Sequence, residues 1–110
     1  MKVDQKGHTV IIKNTQGDVN SFLEKVTKQF KTFEKQNIII DLSSDADLSE
    51  NDLKLFLPLS KQHKKAKKSF LIVVSELDFN AVSDKLTVVP SLLEANDIIE
   101  MEEIERDLGF

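Results

Sequence analysis

The chain has 110 residues, 40% hydrophobic and 31% charged, with no cysteine, tryptophan or tyrosine. This fits one globular domain, residues 1–110, and excludes disulfides, thiolate zinc sites and cysteine nucleophiles. Net charge is −4 but uneven: residues 91–110 hold seven acids against Arg106 alone, while Lys61, Lys64, Lys65, Lys67 and Lys68 form a basic cluster. Neither feature is large enough to imply nucleic acid by charge.

Met1 to Gly7 is polar, and the first apolar run, Val10-Ile11-Ile12, is too short for the core of a signal peptide. The longest, Phe70 to Val74, is far short of a membrane span. The expectation is a cytoplasmic protein that does not enter a membrane.

Residues 2–5 and 8–13 flank Lys6-Gly7 and read as a hairpin, the second arm being rich in β-branched residues. From Gly17 to Lys35, Val19, Phe22, Leu23, Val26, Phe30 and Phe33 recur at helical spacing, with Asp18 as N-cap. Asn37 to Leu42 is continuously apolar up to Asp41, the pattern of a parallel strand covered on both faces; Ser69 to Ser75 reads the same way. Between them a helix is predicted over residues 50–65, opened by the Ser49/Asp52 box and kinked by Pro58, which clashes with the carbonyl of Lys54. Its lysines fall in the last turn, where they suit the helix dipole. A short helix over Asp78–Lys85 and a short edge strand, Thr87-Val88-Val89, follow, the strand ended by Pro90. Ser91 and Glu94 open a last helix to about Leu108, with Gly109 at its C-terminal stop. Its apolar stripe is read as Leu92, Ala95 and Ile99, then Met101, Ile104 and Leu108. The order β-β-α-β-α-β-α-β-α implies an α/β fold with a mixed, mostly parallel sheet and helices packed on it.

This order resembles the STAS domain, the fold of bacterial anti-sigma factor antagonists. The resemblance covers nearly the whole chain and starts from Ile38-Ile39-Ile40-Asp41-Leu42-Ser43, similar to the family's strand ending in Asp-Leu-Ser. It implies a STAS-like fold and a regulatory module that binds a protein. The family then carries Asp-Ser-Ser-Gly-Leu, with a phosphorylatable Ser or Thr at the helix start. The equivalent here is Ser49-Glu50-Asn51-Asp52-Leu53: the leucine is kept, Glu50 and Asn51 replace the Ser pair, and Asp52 replaces the Gly. The family's phosphoacceptor is absent, so phosphorylation at that position is not expected to switch this chain. Glu50 either imitates the modified state permanently or marks a lost switch.

Other chemistry is weaker. Asp45-Ala46-Asp47-Leu48-Ser49 opens like a calcium loop, but Glu50 stands where Gly is needed and Phe56 where a bidentate Glu is needed. Asp41 at a strand end resembles a receiver phosphoacceptor, but Thr15-Gln16-Gly17 offers no acidic pair for magnesium. His8 and His63 pair with nothing recognisable, and no G-x-S-x-G elbow or P-loop occurs. No aromatics interleave with the lysines to stack on bases. The acidic last helix is either a solvated face or a docking surface for a basic partner.

The sequence therefore predicts a non-enzymatic protein-interaction module without cofactor, metal or nucleic acid. Its partner surface is placed at Asp47, Ser49, Glu50, Asn51, Asp52 and Leu53, with Leu53, Phe56 and Leu57 divided between core and contact. A homodimer through a sheet edge or the kinked helix is left open. The alternative is a small-ligand- or ion-binding regulator using the acidic loop 41–52.

Overall fold

A computed structural model of the chain describes residues 1–15, 17–45, 48–75 and 85–109. The predicted helix over Asp78–Lys85 falls almost wholly outside the described residues. Among the described residues five strands, β1 (Lys2–Lys6), β2 (Thr9–Lys13), β3 (Asn37–Asp41), β4 (Phe70–Val73) and β5 (Thr87–Val89), form one sheet in sequence order. β1 runs antiparallel to β2, and the other pairs are parallel. The hairpin closes through Gly7-His8 between the paired Lys6 and Thr9. Gly7 has φ +60° and His8 does not have a positive φ, the arrangement of a type II′ turn.

β3 is central and buried throughout, as its unbroken apolar run requires. Alternate side chains feed two cores. Val10, Ile12, Ile38, Ile40, Phe70 and Ile72 face one side, with α1 (Val19–Gln29), a 3₁₀ turn (Phe30–Phe33), α2 (Glu50–Lys54) and α3 (Leu57–Lys65). Ile11, Ile39, Leu71, Val73 and Val89 face the other, covered by Ala95 and Ile99 of α4 (Leu92–Asp107). The crossovers from β2 to β3 and from β3 to β4 lie on one face, as right-handed connections between neighbouring parallel strands require. The helix after the last strand covers the opposite one.

The structure modifies three of the predicted helices. The first ends as a 3₁₀ turn, which still buries Phe30 and Phe33. The second is two helices rather than one kinked helix. Pro58, without an N–H, stands in the first turn of α3, where no intrahelical donor is missed, and Phe56 serves as N-cap. α3 ends in a Schellman motif: the amide of Lys68 donates to the His63 carbonyl at 3.2 Å and that of Lys67 to the Lys64 carbonyl at 2.9 Å. Lys67 holds the left-handed position, φ +64°, that usually goes to glycine.

The third change concerns α4. Leu92, Ala95 and Ile99 point inward, but Met101, Ile104 and Leu108 are 61%, 59% and 67% exposed. The step from Ile99 to Met101 is two residues, a turn of about 200° that carries the stripe to the opposite side of the helix. The inner face continues instead through Glu102 and Arg106. The Ser69 hydroxyl donates to Glu102, and Arg106 donates to Ser69 Oγ at 3.2 Å and to Asn37 Oδ1 at 3.3 Å. Asn37 Oδ1 also accepts from the Ser69 amide at 3.0 Å.

Candidate functional site

The ends of β2, β3 and β4 lie side by side, and the acids singled out in the sequence leave from them. Asn14, buried just after β2, donates through Nδ2 to both carboxylate oxygens of Asp45 at 3.2 and 3.1 Å, and to the Gly17 carbonyl at 3.3 Å. Asp41, buried at the end of β3, accepts from the Ser43 amide at 2.9 Å. Asp18 caps α1 by accepting from the Ser21 amide at 2.8 Å, and that hydrogen bond holds its carboxyl below the usual carboxylate range. Ser49 and Asp52 form a reciprocal capping box: the Asp52 amide donates to Ser49 Oγ at 3.2 Å and the Ser49 amide to Asp52 Oδ2 at 3.0 Å.

Asp18, Asp45 and Asp52 share a cleft of about 250 Å³ with Gly17 and Leu48. Each carboxylate there already accepts a hydrogen bond that shapes the loops, local for Asp18 and Asp52 and long-range for Asp45. Among the described residues, no group of three His, Asp or Glu side chains is placed to hold a metal.

Of the predicted partner surface, Ser49 and Asn51 are exposed and Glu50 and Asp52 half-buried. Asp47 lies outside the described residues. Leu53 is fully buried, 0% exposed, and Phe56 equally so, its ring centroid 6.4 Å from that of Phe22. Leu53, placed on the partner surface by the sequence, is thereby corrected to the core, and the three residues divide with Leu53 and Phe56 inside. Leu53 and Phe56 hold the helix start from within, and only Leu57 is half-buried.

His63, which the sequence pairs with nothing, proves to be a core residue. It is buried between Phe30 and Phe70, ring centroids 5.3 and 6.2 Å away, and its Nε2–H donates to the Gln36 carbonyl. Burial pushes its pKa below the ordinary 6.5; the Gln36 bond opposes that and the charge of Lys68 adds to it. The signal was present in its spacing, since His63 follows the inner residues Phe56, Leu59 and Ser60 at helical intervals.

A second region lies on the outer side of α4. Leu93, 73% exposed, continues the stripe of Met101, Ile104 and Leu108 along one side of the helix. Asp97 lies among these residues, Glu100 and Asp107 run along one edge, and Glu94 and Glu105 along the other. Beside Ile104, a depression of about 390 Å³ is lined by His8, Glu100, Glu103 and Asp107, with His8 Nδ1 3.4 Å from Glu103 Oε2. On the Glu105 side, a cleft of about 450 Å³ brings Lys64, Lys67 and Lys68 opposite Glu102, Glu105 and Arg106.

No helix among the described residues is long and apolar enough to cross a membrane. Set against known proteins, the chain matches no family model, and no curated protein is significantly similar to it.

Proposed function

We propose that the chain is a non-enzymatic protein-interaction module of the regulatory kind implied by its resemblance to anti-sigma factor antagonists. The observation that supports it best is the outer face of α4, where four large apolar side chains stand 59–73% exposed on one helix. Single exposed apolar residues are ordinary, but a contiguous group rimmed by charge marks an interaction surface. The helix start at Ser49–Asp52 is a second surface. With Asn51 and Glu50 in place of the phosphoacceptor, its recognition is constitutive.

Affinity capture of the tagged protein from its native lysate, read by mass spectrometry, tests this. Two double variants are compared with wild type: Met101→Ser/Ile104→Ser on α4, and Glu50→Lys/Asp52→Lys at the helix start. A protein held by wild type and lost from the α4 variant is the expected result. Loss from the second variant alone moves the contact to the helix start, and a capture profile unchanged by both sinks the proposal. All four positions avoid the fully buried core.

A further inference from the structure

Resting on that reading, we infer that the outer face of α4 receives a basic amphipathic helix of a partner protein. The stripe from Leu93 to Leu108 runs ~22 Å along the helix and exposes on the order of 450 Å² of apolar residue surface, the scale of a functional patch. An α-helix surface offers no free backbone donors or acceptors, so the occupant satisfies its own backbone internally. A helix does so, whereas an extended strand needs a sheet edge.

Charge selects the kind of helix. Glu94, Asp97, Glu100, Glu105 and Asp107 run beside or within the stripe, while the one base of α4, Arg106, turns inward to Ser69 and Asn37. The depression beside Ile104 places Glu100, Glu103 and Asp107 around a space of about 390 Å³, with His8 against Glu103 and the carboxylates of Glu100 and Asp107 left to meet a lysine or arginine side chain next to an apolar anchor. A second copy packing α4 on α4 sets these acids against themselves, and an anionic bilayer is repelled for the same reason. Lys64, Lys67 and Lys68 reach only the Glu105 edge, leaving the Glu100 and Asp107 edge for the partner's cations.

The probe is a fluorescein-labelled synthetic helix of about 18 residues, leucines on one side and lysines on the other, followed by anisotropy. Controls are a scrambled peptide of the same composition and one with glutamate in place of lysine. Wild type is expected to bind the first peptide alone, more weakly as salt rises from ~50 to ~300 mM. Met101→Ser/Ile104→Ser is expected to weaken binding at least roughly tenfold. Glu100→Gln/Asp107→Asn is expected to weaken it severalfold and flatten the salt dependence.

Equal binding of the scrambled peptide, or indifference to the apolar substitutions, overturns the inference. So does sedimentation showing a dimer that Ile104→Ser dissociates, since the face then covers itself. Unchanged melting temperatures show that the variants fold. If the peptide fails while the lysate partner is still lost from the α4 variant, the interaction reading stands and the basic helix falls. If no capture depends on either surface, the reading itself falls.

Discussion

Acidification below neutrality destabilises the fold through His63. The neutral ring is the one the core accepts, held by its Nε2–H bond to the Gln36 carbonyl and flanked by Phe30 and Phe70. Its pKa lies below the ordinary 6.5 in the folded chain, chiefly because burial opposes the charged form. In the unfolded chain it returns to ordinary, so the unfolded state takes up its proton first. The contribution is complete above about pH 6.5 and is lost as pH falls from there to the folded-state pKa, where the loss ends. Within that window it declines by about 1.4 kcal/mol per pH unit. Urea unfolding of wild type and His63→Gln from about pH 8 to pH 5 isolates this, because every other ionisable group is shared. Glutamine keeps a donor for Gln36 without titrating, at a cost of ~1–3 kcal/mol in poorer ring packing at high pH. The gap between the two proteins therefore narrows on acidification. A gap constant across the whole range refutes the placement of a neutral, buried His63.

Two substitutions on α3 are expected to stabilise. Ser60 is buried and its hydroxyl has no hydrogen-bond partner among the described residues, so Ser60→Ala raises unfolding stability by about 1 kcal/mol in urea titration; a loss of that size would reveal a partner. Lys67 occupies a left-handed position, φ +64°, at the C′ site of the Schellman motif. Lys67→Gly raises stability by ~0.5–1 kcal/mol in the same assay, and a decrease argues against that backbone conformation.

The strands were readable because each carries a simple signal. Three isoleucines running into Asp41 have no polar alternation, and β3 is indeed covered on both faces. The Ser49/Asp52 and Ser91 caps were equally legible, since a side-chain acceptor before a helix answers a local need for an orphan amide. Pro58 announced a disturbance, but whether a helix bends or restarts depends on how Phe56 packs, and Phe56 is fixed by Phe22 from another element. Lys67 gave no signal, because the Schellman turn needs a left-handed residue there and the sequence supplies no glycine. The partner surface at the helix start was readable as acidic and polar. That Leu53 belongs to the core and that Asp45 is held by Asn14 are long-range facts, which no local pattern contains. Spacing alone would have separated the two sides of α4 had the two-residue step at Ile99–Met101 been followed around the helix.

That step matters because α4 is not free to roll. Burying Met101, Ile104 and Leu108 would require turning the helix by roughly half a revolution. Ala95 and Ile99 would then leave the core under Ile39 and Leu71. Glu102 and Arg106 would leave Ser69 and Asn37, whose side chains are buried at the edge of β3 and β4. Buried polar groups stripped of partners cost about 1–3 kcal/mol each, and exposing Ala95 and Ile99 to water adds to that cost. A helix with two opposed apolar arcs has two ways to lie on a sheet, and the polar cluster at its C-terminal half selects one of them. The side left outward is apolar because of that selection, and acids run along both of its edges. In the proposed interaction, an apolar surface held outward by a polar lock and flanked by acids suits a partner that brings both a hydrophobic side and positive charge.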